Sequence, residues 1–389
     1  MIRDLTDDEA RRALILKWGE TDPDVLPAWV AEMDYALAPP VAEALQRAVV
    51  DGVTGYPAFD DNRRLGEALA GFATRQWAWT VDPDHVQPVS DVTAGIRVAL
   101  DVLSDPGPMV LPVPAYHPQL DVAGLTGRDR VDLVLDPDAT EARIDLDGLR
   151  DLLDAGARTF LLTQPHNPWG RVFGRAELEG LRDVIVEYDA RVISDEIHAP
   201  LVLPGAEHVP YLSLEGTADH AVAVIAASKA FNVAGLRCAQ IVTGDGATME
   251  RLRAVPMARN DSWSPLGVVA AVAAYDDGDA WLAALVDRLA LQRSLLRELL
   301  AEHLPEVRMR PLEATYLAWL DARAYGHQDP TAVALERSRV LLSPGHLYHH
   351  GLPGHARLNI ATSPDRLTRI VEGLAAAWRA SPTGSPPRL

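Results

Sequence analysis

The chain of 389 residues is long enough for a sizeable core, about two and a half domains of ordinary size. Apolar residues make up 48% and charged residues 23%, which excludes a disordered, collagen-like or coiled-coil chain. Only 36 basic side chains stand against 55 acidic ones, a formal charge of −19 that repels phosphate backbones and anionic lipid, so neither nucleic acid nor membrane is an expected partner.

In chain order, the opening MIRDLTDDEARRALILKWGE has no uninterrupted apolar core of the kind a signal peptide requires, and a cytoplasmic location is expected. The first fifty residues are rich in Pro and Trp, with one helix predicted at about Pro40–Val50. From about residue 85 to 245, short apolar runs alternate with helical periodicity. Met109–Val113, Thr159–Thr163, Arg191–Ser194 and Ala221–Ala227 read as buried strands. Between the second and third, Leu178, Leu181, Val184, Ile185 and Tyr188 set one apolar stripe along a helix. Repeated strand–helix–strand units predict an α/β fold with a largely parallel sheet and ligands at the carboxyl ends of its strands. The longest apolar stretch, Leu266–Tyr275, is about half of the ~20 residues that cross a bilayer. Thr315–Leu320, Arg339–Ser343 and His355–Ala361 look like strands, and about 280–303 and 364–380 like helices: a smaller α+β lobe on which the N-terminal segment is expected to pack. The tail at 381–389, rich in Pro, Gly and Ser, is expected to be mobile. A single cysteine, Cys238, excludes an internal disulfide and any Cys-based zinc site and reads as packing.

Polar residues stand at the predicted strand mouths: Asn167 after the second, Asp195 at the third, Ser228-Lys229 after the fourth. A lysine directly following an apolar run is partly desolvated, which lowers its pKa and favours the neutral amine of Schiff-base chemistry. Alone, Lys229 reads equally as a lysine reaching solvent, Asp195 as a turn cap, and Gln164-Pro-His-Asn-Pro-Trp-Gly170 as turn chemistry. Together, Pro165–Gly170, Ser194-Asp-Glu-Ile-His198 and Ser228-Lys-Ala-Phe-Asn-Val-Ala-Gly-Leu-Arg237, in this order and spacing, resemble fold type I pyridoxal-phosphate enzymes of the aminotransferase class I/II group. Lys17-Trp18 and Leu26-Pro-Ala-Trp-Val-Ala-Glu-Met-Asp-Tyr35 resemble its cystathionine β-lyase branch of MalY/PatB type, the carbon–sulfur lyases.

The resemblance implies a large domain at 50–280 with a mostly parallel, seven-stranded-type sheet, and a smaller α+β domain from both chain ends, 1–49 and 281–380. It implies that Lys229 holds the cofactor and moves protons, that Asp195 pairs with the pyridinium, that Asn167 bonds the phenolic oxygen and touches substrate, and that Tyr116 stacks on the ring. Val92 and Thr93 at a helix start, Ser228 and Arg237 are expected at the phosphate, and His198 among the cofactor contacts. Tyr56 matches a residue reaching the phosphate of a second subunit, so a homodimer with shared sites is expected. Arg357 matches the arginine that grips the substrate α-carboxylate, whose planar fork a lysine does not reproduce.

Three features depart from the family's pattern. Asp91 stands where a small residue is common beside the phosphate and is expected to turn away. Arg237 is more typical of aminotransferases than of the lyase branch. His346, His349, His350 and His355 appear where Phe and Gly are usual; without matching carboxylate or cysteine spacing they read as a polar active-site loop, with no metal. Neither Gly-x-Ser-x-Gly nor Gly-x-Gly-x-x-Gly occurs, which removes the hydrolase and dinucleotide-enzyme readings. The reading is a β-lyase acting on cystathionine or an S-substituted cysteine. Its alternatives are an aminotransferase and a non-catalytic pyridoxal-phosphate-binding regulator.

Overall fold

The predicted apolar runs form the middle of a seven-stranded sheet. A computed structural model describes residues 2–59, 62–104, 106–136, 143–260 and 262–379; the tail predicted to be mobile, 381–389, lies outside them. The sheet strands are β1 (Val86–Val89), β2 (Met109–Val113), β3 (Arg130–Val134), β4 (Thr159–Thr163), β5 (Arg191–Asp195), β6 (Ala221–Ile225) and β7 (Ala239–Thr243), in spatial order β3-β2-β4-β5-β6-β7-β1. β2 to β6 run parallel, and β7 is antiparallel to both of its neighbours.

Every residue of β2, β4 and β6 is buried, because helices cover both faces; this is why these strands read as continuous apolar runs rather than as alternation. On one face, Ile96, Ala99 and Leu103 of the helix Val92–Leu103 meet Val222, Val224 and Ile241. On the other, Leu178, Leu181, Val184 and Ile185 of the helix Arg175–Glu187 meet Phe160, Leu162 and Val192. Gly95 sets the first contact: a Cβ there would lie 2.7 Å from Val224 Cγ1, so only glycine lets the helix start sit this close to the end of β6.

A second, antiparallel sheet has the order Ser343–Pro344, His355–Asn359, Leu317–Asp321, Arg308–Met309. The single strand expected at Arg339–Ser343 is divided. Val340–Leu341 pairs in parallel with Leu26–Pro27, while Ser343–Pro344 joins the small sheet, so one run serves two partners on opposite sides of Leu342. The helices Asp279–His303 and Pro364–Arg379 bury Leu285, Leu289, Ile370 and Leu374 behind these strands. The apolar stretch Leu266–Tyr275 falls within the helix Pro265–Asp277, against which the helix Pro39–Val50 packs. No described helix is long and apolar enough to cross a membrane.

Candidate active site

β5 ends in Asp195 itself; Tyr116 stands three residues past β2, Asn167 four past β4 and Lys229 four past β6. Register does the rest. Thr163 pairs with Asp195 and Asp195 with Val224, so the parallel strands end level and their following turns converge. The result is a cleft of about 400 Å³ that gathers Val92, Thr93, Tyr116, Asn167, Asp195, His198, Ser228, Lys229 and Arg237. A larger cavity, about 690 Å³, opens near Phe59, Met249 and Trp263, and no lysine, histidine or cysteine lines it.

Lys229 is largely enclosed, and its Nζ donates to the carbonyl of Ala31 at 3.2 Å. Burial lowers its pKa to about 8, the Arg357 charge works the same way, and Glu32 and Asp195 oppose both. Asp195 is 4% exposed; Oδ1 accepts from the Ile197 N–H at 3.1 Å and Oδ2 from Gln119 Nε2 at 2.7 Å. Burial pushes this carboxyl up to about 7, against those two hydrogen bonds. His198 is neutral, held near 3 by burial, and its Nδ1 has no partner.

Asp91, expected to turn away from the phosphate, instead keeps its side chain at the helix start and borders the cleft. One oxygen caps the helix by accepting from the Ala94 N–H at 2.8 Å, and the other pairs with Arg237. The N–H groups of Val92 and Thr93, which a helix's first turn leaves without intrahelical partners, remain for an anion.

Opposite the strand ends lies a strap, residues 29–33, fastened almost entirely through its backbone. Arg357 Nη2 donates to Trp29 O at 2.9 Å, Asn359 Nδ2 to Val30 O and Glu32 O at 2.7 Å each, and the Tyr316 hydroxyl to Ala31 O at 3.1 Å. Asn232 bonds both the N–H and the carbonyl of Met33 at 2.9 Å. Arg357 itself is 4% exposed. Its other partner is Asn167 Oδ1 at 3.2 Å, it lies 5.1 Å from the Tyr348 ring, and no carboxylate is within ion-pair distance among the described residues. A buried guanidinium without a counter-ion is costly, and it marks a place for an anionic ligand group.

Not every residue singled out from the sequence comes together here. Tyr56 is 94% exposed and lies outside its own chain's cleft. None of the four histidines lines the cleft: His346 and His350 are exposed, and His355 stacks on Trp319 with its Nδ1 against Pro353 O. What that loop contributes is Tyr348. Among the described residues no three His, Cys, Asp or Glu side chains gather as a metal site. Cys238 borders the cleft with its thiol pushed up to about 12 by burial, so it stays protonated. Sequence reasoning missed Gln119, Tyr316, Asn232 and Asn359. Asn232 falls inside a motif quoted above and Asn359 inside a predicted strand, each without a role; Gln119 carries no sequence signal at all.

A lysine held near neutrality, a buried acid and an anion-ready helix start, at the carboxyl ends of a sheet in this strand order, define a pyridoxal-phosphate enzyme of fold type I. The chain belongs to the aminotransferase class I and II family, whose model matches residues 28–374. It is 34% identical over 370 residues to cystathionine beta-lyase of Corynebacterium glutamicum, covering 95% of this chain and 98% of that one. Cystalysin from Treponema denticola, whose crystal structure contains pyridoxal 5′-phosphate, superposes with a TM-score of 0.89 at 26% identity over 97% of this chain and 99% of that one. N-Succinyldiaminopimelate aminotransferase from Mycobacterium tuberculosis superposes with a TM-score of 0.84 at 25% identity, over 94% and 95%. Pyridoxal phosphate is the cofactor. The residues present fit it: among the described residues Asp195 is a buried carboxylate with no ion pair and Lys229 has a single weak partner, and the helix start offers free N–H groups.

One consequence is measurable before any turnover. With Lys229 proposed as the point of attachment, which needs the neutral amine, the rate at which stripped protein takes up pyridoxal phosphate should climb with pH, reach half its maximum near 8 and level off above it. Stopped-flow absorbance checks this. A rate still climbing toward the 10.5 of an ordinary lysine would show that the cleft does not depress Lys229.

Proposed function

We propose that this protein is a pyridoxal-phosphate-dependent carbon–sulfur β-lyase that splits cystathionine or another S-substituted cysteine, with one water, into a thiol, pyruvate and ammonia. The observation that carries the amino-acid reading is Arg357, a buried cation without a counter-ion in the same site as Lys229. Likeness to a cystathionine beta-lyase over 95% of the chain supports the carbon–sulfur step.

When bound, the cofactor supplies an imine link to the substrate amine and a ring that takes up the electrons of the Cα–H bond. The chain does the rest. Arg357 grips the α-carboxylate bidentately, its Nε being without a partner among the described residues. That grip turns the Cα–H toward Lys229, whose amine takes the proton and then returns it to the departing sulfur. Asp195 pairs with the ring nitrogen and Tyr116 stacks on the ring face. Asn167, its Oδ1 engaged by Arg357, keeps its Nδ2 for the phenolic oxygen. The Val92 and Thr93 N–H groups, the Ser228 hydroxyl and Arg237 take the phosphate, and His198 offers its unpartnered Nδ1 beside them. Residues 50–280 carry the cofactor, and the lobe of 1–49 and 281–380 brings Arg357 and the strap. The exposed Tyr56 reaches the phosphate of a second copy in a homodimer, which sedimentation tests at twice the 42.2 kDa chain mass.

The deciding experiment gives the holoenzyme cystathionine or an S-alkylcysteine with no keto acid. Sustained release of thiol and pyruvate supports the lyase. A single half-turnover to pyridoxamine phosphate, renewed only by added keto acid, would make the protein an aminotransferase. In the same assay Arg357→Lys should raise KM about 10- to 100-fold with kcat little changed, because the charge stays and the fork is lost. An unaltered KM would move the carboxylate elsewhere.

A further inference from the structure

We propose that Gln119 keeps the proton on the cofactor's ring nitrogen by holding Asp195 as a carboxylate. This rests on the reading that Asp195 pairs with that nitrogen.

Gln119 lies on the helix His117–Leu125, just beyond Tyr116, and is 1% exposed. Its Nε2 donates to Asp195 Oδ2 at 2.7 Å while its Oε1 accepts from Thr163 Oγ1 at 3.1 Å. Thr163 is the last residue of β4 and sits directly opposite Asp195 in the register. The chain Thr163–Gln119–Asp195 therefore has a direction. The carboxylate sets the amide, since a reversed amide would put oxygen against oxygen at Asp195; the NH₂ therefore faces the carboxylate, and the carbonyl takes the threonine proton, which steadies that orientation.

A carboxylate and a ring nitrogen in contact share one proton, and the more basic of the two holds it. A donor to the carboxylate favours its charged form and lowers its basicity, which leaves the proton on the ring, where it makes the ring electron-withdrawing. Burial acts the other way. Of the groups facing Asp195, Glu196 also raises its basicity, while Lys229 and the Ile197 N–H lower it; Tyr116 and the neutral His198 border the same cleft. Gln119 is the one side chain among the described residues that hydrogen-bonds Asp195.

The test loads stripped protein with pyridoxal phosphate carrying nitrogen-15 in the ring and follows its chemical shift against pH. The wild-type ring should be protonated across the neutral range. In Gln119→Met, which keeps the shape and removes the donor, the ring should lose its proton about one pH unit or more lower. Thr163→Val frees the amide to turn and should fall between the two; it also decides the matter if Gln119→Met does not fold. Exchange of the substrate Cα proton should slow in the same order. A Gln119→Met ring that titrates like wild type would reduce the residue to packing and overturn the inference alone. An unprotonated wild-type ring, with Asp195→Asn no different, would overturn the Asp195 reading and this inference with it.

Discussion

Lys229→Ala should lower turnover about a thousandfold or more and abolish covalent retention of the cofactor. Both effects follow from one nitrogen, which in the proposed mechanism carries the cofactor at rest and the substrate proton during the reaction. The chain makes the experiment unusually clean, because it contains only two lysines, Lys17 and Lys229. Lys17 is buried with its Nζ 2.8 Å from Asp34 Oδ1 and 3.0 Å from Glu32 O, so it is already partnered and no rival for the cofactor. Borohydride reduction followed by peptide mass spectrometry should find pyridoxal phosphate on Lys229 in the wild type and nowhere in the variant. A cofactor still bound covalently to the variant, with turnover, would reassign the site to Lys17.

Asp34→Ala should cost about 3–5 kcal/mol of folding stability, read from urea unfolding. Asp34 is fully buried and draws together both chain ends. Its Oδ1 takes Lys17 Nζ and Trp18 Nε1, the latter at 2.7 Å, while Oδ2 faces Arg366 Nη1 at 3.4 Å. Removing it strands a buried ammonium. Arg366 loses less, because Asp7 and the Leu5 carbonyl also hold it. The exposed Arg3–Glu9 pair is the control: Arg3→Ala, which leaves Glu9 on the Thr6 N–H, should leave the urea midpoint where it was, since solvent already screens the pair. Asp34→Ala should also raise KM, because Lys17 grips the carbonyl of Glu32 in the strap.

Which parts of this were legible in the sequence follows from chain topology. Parallel strands buried on both faces must be apolar throughout, and their carboxyl ends must face one crevice, so Asn167, Asp195 and Lys229 could be placed together from spacing alone. The outer strands gave no such signal. β3, Arg-Val-Asp-Leu-Val, alternates charge with apolar groups because it lies at the sheet edge. β1 contains Pro88, which reads as a turn and is tolerated because β1 is the other edge strand. β7, beside β1, is broken by Gln240, a polar residue buried with both ends of its amide satisfied: the Tyr275 hydroxyl donates to its Oε1 at 2.7 Å and its Nε2 donates to Cys238 Sγ at 3.4 Å. The same limit hid Gln119: a buried amide earns its place from partners distant in sequence. Asp91 was legible as an anomaly, but its pairing with Arg237 across 146 positions was not. The histidine-rich loop misled because composition says nothing of direction, and there the inward-facing residue is Tyr348.

The fastening of the strap also has a consequence for the order of events during synthesis. Its clasps join residues 328 and 329 positions apart, whereas all seven strands of the large sheet and the turn bearing Lys229 are complete by Thr243. A nascent chain can therefore possess every group proposed to hold the cofactor's ring and phosphate from its own subunit long before Arg357 and Asn359 leave the ribosome. On the proposed roles the cofactor's place forms first and the substrate's last, so a half-made chain still lacks Arg357, the residue proposed to grip an amino acid.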